Sequence, residues 1–130
     1  MDNPQSSSAK ILIIEDEHFI SELYVRALTK AGYKVDVIID GKEALHAAQS
    51  DKYDIILLDI MIPTITGTEL LKRLRDPEIS RPIHSKIIIT TNLEQSEEGR
   101  AELEKQADGY IVKAEITPHE LVDFISQIKL

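Results

Sequence analysis

The chain has 130 residues, a formal net charge of −8 and no cysteine. That length fits one domain, burying roughly two-thirds of the surface its unfolded chain exposes, and the missing cysteine excludes disulfides, thiolate zinc sites, iron–sulfur clusters and a cysteine nucleophile. The acidic excess, with no Lys/Arg cluster, argues against direct nucleic-acid binding, whose affinity comes mainly from cations neutralising phosphates.

Residues 1–8 (MDNPQSSS) offer almost nothing to bury and read as a disordered tail, without the basic end or apolar stretch of a signal peptide. From residue 9 to 130 one plan repeats five times: a short apolar strand, a turn, then an amphipathic helix. The first strand spans Ile11 to Ile14, an unbroken apolar run of the kind buried on both faces. A helix follows over His18 to Lys30, with Ile20, Leu23, Tyr24, Ala27 and Leu28 at helical spacing and Gly32 as a left-handed cap. Val35 to Ile39 forms the second strand, and Asp40-Gly41 turns into a helix carrying Ala44, Leu45 and Ala48. Ile55 to Leu58 is the third and most apolar strand, ending at Asp59. The helix after it runs through Leu70, Leu71 and Leu74 and stops near Asp76-Pro77.

The fourth strand is Ile87 to Thr91. Its helix lies between Glu94 and Ala107, with a thin apolar face of Ala101 and Leu103. Tyr110 to Lys113 is the fifth strand. Thr117-Pro118-His119-Glu120 opens the last helix with a capping box and proline at its first position. Strand–helix alternation predicts a doubly wound α/β domain: five parallel strands with helices on both faces. No apolar run approaches the ~18 residues of a membrane span, so a cytoplasmic protein without membrane insertion is expected.

Open α/β sheets bind ligands outside the carboxyl ends of their strands. Past strand one come Glu15, Asp16 and Glu17; Asp59 follows strand three, Thr91 closes strand four and Lys113 closes strand five. Each has a plainer explanation alone. The acids can complement a helix dipole, the aspartate can serve a turn, and a single lysine is usually solvated surface. Together they place acids, a hydroxyl and a base at one edge of the sheet. An oxygen-rich acidic site suits a hard cation such as Mg²⁺, and the lysine supplies the fixed positive charge that a phosphoryl group needs. The histidines His18, His46, His84 and His119 show no metal-ligand spacing and read as surface or capping residues.

On the stretches ILIIEDE, DIILLDIMIPTITG, IIITTN and DGYIVKAEIT, the sequence resembles the receiver domain of bacterial two-component response regulators across almost all of residues 10–130. The resemblance implies a flavodoxin-like five-stranded sheet of order 2-1-3-4-5 with five helices. It implies that Asp59 is the phosphoacceptor and that Asp16 holds Mg²⁺ directly, Glu15 acting through water. Met61 would lend its backbone carbonyl to the metal, Lys113 would pair with the phosphoryl group, and Tyr110 would be the aromatic switch. The switch hydroxyl falls on Thr90 or Thr91; counting back from Lys113 favours Thr91. Pro63 and Gly67 match the loop after the phosphorylated aspartate. The implied partners are a histidine kinase or phosphotransfer protein and an unknown downstream protein. A phosphorylation-dependent homodimer is left open.

Three positions depart from the family pattern. Ala114 follows Lys113 where proline is usual, which predicts a trans bond, since a cis bond there would cost roughly 2.5–4 kcal/mol. Asn92 replaces a small residue and either crowds the phosphoryl pocket or adds a donor. Thr66 stands where an acid is common. The competing reading is a phosphorylation-independent interaction module of the same fold. An aspartyl-phosphate hydrolase is disfavoured, because Met61 occupies the place of its usual second acid, and a nucleotide-binding protein because strand one lacks a glycine-rich turn.

Overall fold

A computed structural model describes residues 9–92 and 96–130. The tail expected at 1–8 lies outside these residues, as does Glu94, where the window for the fourth helix opened. The chain forms β1 (Lys10–Ile14), α1 (His18–Lys30), β2 (Lys34–Ile38), α2 (Gly41–Gln49), β3 (Ile55–Asp59), α3 (Gly67–Arg75), β4 (Lys86–Thr91), α4 (Glu97–Gln106), β5 (Gly109–Val112) and α5 (Pro118–Ser126). The strands make one parallel sheet ordered β2-β1-β3-β4-β5, the expected arrangement.

Strand alternation builds two cores. Leu12, Ile14, Ile56, Leu58, Ile87 and Ile89 face one side with α2, α3 and Leu103 of α4. Ile11, Ile13, Ile55, Leu57, Ile88 and Ile111 face the other, against Tyr24 and Leu28 of α1 and Leu121 and Ile125 of α5. All five residues of β3 are buried, which explains its unbroken apolar run. Each such isoleucine or leucine contributes about 1.5–3 kcal/mol. β2 lies at the sheet edge and is far more exposed.

Side-chain caps start four helices where the sequence offers them. Asp40, Thr66, Ser96 and Thr117 each accept a hydrogen bond from a backbone N–H of the following first turn, and Glu120 completes the capping box with Thr117. Gly32 has φ of 103°, the left-handed geometry expected after α1.

Two strand ends differ from the sequence-based expectation. β2 stops at Ile38, because Ile14↔Ile38 is the last pair β1 can offer, and Ile39 is exposed. β5 ends at Val112 opposite Thr91, so Lys113 does not close the strand but opens a 3₁₀ turn over Lys113–Glu115. No cis peptide bond occurs among the described residues, so Ala114 follows a trans bond as expected.

At the opposite edge from the strand ends discussed above, His84 ties two segments together. Its Nδ1 lies 2.7 Å from Asp51 Oδ1 and its Nε2 3.2 Å from Asp54 Oδ1. Asp54 also accepts from the backbone N–H of Lys10 at 2.8 Å. The hydrogen bond to Asp54, with the Asp51 carboxylate beside it, raises the His84 pKa against a smaller opposing effect of burial. A raised imidazole pKa stabilises the fold fully below the unfolded value of about 6.5, and the contribution disappears as pH rises through the folded value. The melting temperature of His84→Gln should therefore fall furthest below wild type near pH 6 and approach it by pH 9. A gap independent of pH would show that the ion pairs contribute nothing.

Candidate phosphoacceptor and metal site

The carboxyl ends of β1, β3 and β5 bring four charged groups together. β1 runs straight into Glu15 and Asp16, β3 ends at Asp59, and the 3₁₀ turn after β5 aims Lys113 back over the sheet. Lys113 Nζ donates to Glu15 Oε1 at 2.5 Å and to Asp59 Oδ2 at 3.1 Å. All three side chains are at most 5% exposed. Asp59 Oδ1 accepts the backbone N–H of Met61 at 3.1 Å, and Glu15 Oε2 accepts that of Glu17 at 3.1 Å.

Two carboxylates and one ammonium leave the buried group one negative charge in excess. Burial is the largest influence on Glu15; with the hydrogen bond and charge of Asp59 it outweighs the Lys113 contact and pushes the Glu15 carboxyl up to about 7. Burial opposes the Lys113 charge, but the two carboxylates outweigh it and raise the lysine's pKa. Lys113 therefore stays ionised at neutral pH.

Asp16 is exposed and stands beside this group. One carboxylate oxygen each from Glu15, Asp16 and Asp59 lie within 4.8 Å of one another. Asp16 and Asp59 face a cleft open to solvent, with Glu15 buried behind them, and such hard oxygen donors fit an ion such as Mg²⁺, which keeps several waters and takes few protein ligands. The cleft is about 230 Å³ and is lined by Asp16, Glu17, Asp59, Met61 and Asn92.

The expected switch residues sit behind this cleft, outside its lining. Asp59 pairs in register with Thr90, and Thr91 with Val112. Both threonines are buried. By strand alternation Thr91 continues the face of Ile87 and Ile89, the core against which Tyr110 packs, while Thr90 continues the face of Ile88. Thr91 thus shares its face with Tyr110. The Tyr110 hydroxyl is buried and finds no hydrogen-bond partner among the described residues. Its ring lies under the guanidinium of Arg100, 4.4 Å from the centroid, and Glu104 holds that guanidinium from one helical turn away at 2.5 Å.

The geometry also shows how three residues that the sequence had singled out, Asn92, Met61 and Gly67, sit around the cleft, and it adds Glu17 to its lining. The Asn92 side-chain amide lies 3.4 Å from Glu17 Oε2 across the mouth of the cleft. Met61 contributes an exposed side chain to the same rim. Gly67 is required by contact: a Cβ there would lie 2.2 Å from the Asp59 carbonyl oxygen. Its own N–H donates to the Ile60 carbonyl at 2.8 Å, closing the loop that follows Asp59.

Residues 11–126 match the family described as the response regulator receiver domain. The chain is 36% identical over 120 residues to the response regulator ArlR of Staphylococcus saprophyticus, covering 92% of this chain and 50% of that protein. It is 33% identical over 120 residues to the transcriptional regulatory protein CusR of Escherichia coli, covering 92% of this chain and 49% of that one. Among solved structures, chemotaxis protein CheY4 of Vibrio cholerae aligns with a TM-score of 0.78 at 31% identity, covering 94% of this chain and 99% of that chain. The receiver domain of the Francisella response regulator 1452 aligns at 0.77 and 30%, covering 91% and 93%. The fold and matched length define a signalling receiver module rather than a classical enzyme. The chain belongs to the receiver domain family of two-component response regulators. It spans about half the length of the curated relatives it matches. No helix among the described residues is long and apolar enough to cross a membrane.

Proposed function

We propose that Asp59 accepts a phosphoryl group from a histidine kinase or phosphotransfer protein, and that phosphorylation alters the β4–α4–β5–α5 face for partner binding. The observation that carries this reading is the buried Lys113 ammonium bridging Asp59 and Glu15, with Asp16 completing an oxygen cluster at the open end.

A carboxylate oxygen of Asp59 attacks phosphorus in line; the bond to the donor's imidazole nitrogen breaks, and that nitrogen keeps the electron pair. Phosphoryl transfer depends mostly on positioning and charge neutralisation. The Met61 N–H orients the acceptor carboxylate, and Lys113 pairs with charge arriving on the phosphoryl oxygens. Mg²⁺, held by Asp16 and Asp59 with Glu15 through water and the Met61 carbonyl, would supply the remaining positive charge. Thr91 would then turn toward the phosphoryl group, and Tyr110 would move into the space released. The Tyr110 hydroxyl, without a hydrogen-bond partner among the described residues, supports such mobility, because an unsatisfied buried hydroxyl costs about 1–3 kcal/mol and gains by finding a partner.

Beryllofluoride, a phosphoryl mimic, tests this reading. With Mg²⁺ it should shift the amide resonances of Thr91, Tyr110 and α4, and Asp59→Asn should show none of these shifts. Equal shifts in wild type and variant would count against Asp59 as the acceptor.

A further inference from the structure

The loop after Asp59 holds one residue in a backbone conformation that its own side chain disfavours. Thr64 has φ of 70°, in the left-handed region, where a β-branched residue is an outlier. Across it the Ile65 N–H donates to the Pro63 carbonyl at 2.9 Å. A three-residue turn closed in this way is rare and strained when its central φ is positive. Such strain persists only where surrounding contacts hold it.

Those contacts come from the start of α2. The Thr64 hydroxyl lies 3.0 Å from Asp40 Oδ1 and 2.7 Å from the Pro63 carbonyl oxygen. The Pro63 carbonyl already accepts the N–H groups of Ile65 and of Gly41, the latter at 3.1 Å. Its two lone pairs are therefore taken, and the single hydroxyl proton goes to the carboxylate. The second oxygen, Asp40 Oδ2, accepts the Glu43 N–H at 3.0 Å and caps α2. The Glu43 N–H first, and the Thr64 hydroxyl second, hold the Asp40 pKa below its ordinary value. One carboxylate thus serves both the helix and the turn. A Cβ at Gly41 would lie 2.7 Å from the Ile65 carbonyl oxygen, so α2 begins directly against the turn.

The turn bears on the acceptor through the residues just before it. Ile62 and Ile65 are buried on either side of it, and Met61, next to Ile62, donates its N–H to Asp59 Oδ1. Relaxing Thr64 to an extended φ would pull the Pro63 carbonyl off Gly41 and re-aim the backbone at Met61.

We propose that Asp40 is a positioning residue for the phosphoacceptor site: through the Thr64 hydroxyl it holds the left-handed turn that sets the Met61 backbone against Asp59. The inference deepens the proposed function and rests on it only for the consequence in phosphoryl transfer.

Hydrogen exchange of the Met61 amide, followed by NMR in metal-free protein, reads this placement without any phosphodonor. Thr64→Val removes the hydroxyl and keeps the β-branched strain. Asp40→Ser retains a helix cap, but its one oxygen cannot serve both partners. Each should speed Met61 exchange about tenfold or more, as loss of a charge-assisted hydrogen bond implies, and slow labelling by phosphoramidate. Thr64→Gly also lacks the hydroxyl, yet glycine adopts the left-handed turn without strain. Its Met61 exchange should stay within about twofold of wild type, and adding Asp40→Ser should change it no further. The amides of Ile11 to Ile14 should keep their protection in every variant. Thr64→Gly as fast as Thr64→Val, Asp40→Ser as slow as wild type, or equal loss in the β1 amides would each overturn the proposal. If phosphoramidate fails to label wild type, the proposed function falls, while the Met61 exchange rates still decide the role of Asp40.

Discussion

Replacing Lys113 by methionine should destabilise the protein by about 3–5 kcal/mol at pH 8 without metal, because removing one partner leaves buried charge uncompensated. Glu15 and Asp59 would face each other with no cation between them. Their escape is protonation, which fixes the pH dependence. An acid whose folded pKa is raised gives stability that is fully present below its unfolded value and lost as pH rises through the folded value. Glu15 already stands at about 7, up from 4.5, with burial the main cause, and losing the lysine contact would raise it further. The deficit of Lys113→Met should therefore shrink toward pH 4.5 and widen above pH 7. Mg²⁺ should recover more stability in the variant than in wild type. Urea unfolding across that range, with and without Mg²⁺, checks both statements. A variant as stable as wild type at pH 8 would mean that solvent reaches these carboxylates.

Gly67→Ala should produce a loss of comparable or greater size, above about 4 kcal/mol, because overlap with backbone cannot be relieved by a rotamer change. The added Cβ would sit 2.2 Å from the Asp59 carbonyl oxygen and 2.7 Å from Ile60 Cα. Relief requires moving α3 away from the end of β3, which also displaces the loop bearing the Met61 N–H. Gly109→Ala provides the contrast. Its Cβ would meet Ile88 Cδ1 at 2.9 Å, the mobile end of a side chain, and the next contact is the Phe124 ring at 3.3 Å. Thermal denaturation of the two variants should rank Gly67→Ala far below Gly109→Ala. Similar melting temperatures would show that the β3–α3 junction yields more readily than its contacts imply.

Much of this architecture was legible because it is written in local patterns. Unbroken apolar runs at Ile11–Ile14 and Ile55–Leu58 mark strands covered on both faces, and Thr117-Pro118-His119-Glu120 carries its capping box in four consecutive residues. The convergence of Glu15, Asp16, Asp59 and Lys113 followed from strand ends alone, since a parallel sheet carries all its carboxyl ends to one edge. Strand limits were less legible. Lys113 looks like a strand residue by its neighbours, yet β5 stops where β4 runs out of pairing partners.

Contacts between distant segments left no mark in the sequence. His84 reaches Asp51 and Asp54 across 33 and 30 residues, so ligand spacing along the chain could not find it. The Asn92–Glu17 approach joins the end of β4 to the entry of α1, and the Arg100–Tyr110 stack joins a nearly all-polar helix to β5. Thr90 and Thr91 are chemically equivalent neighbours. Only the pleat of β4, which puts Thr91 on the Tyr110 side, gives a physical reason to separate them.

The most direct test of the central claim is the intact mass of the protein after incubation with Mg²⁺ and phosphoramidate, beside Asp59→Asn. The account predicts a gain of one phosphoryl group that requires Mg²⁺ and is absent from the variant. An unchanged mass in wild type, or the same gain in Asp59→Asn, would contradict it.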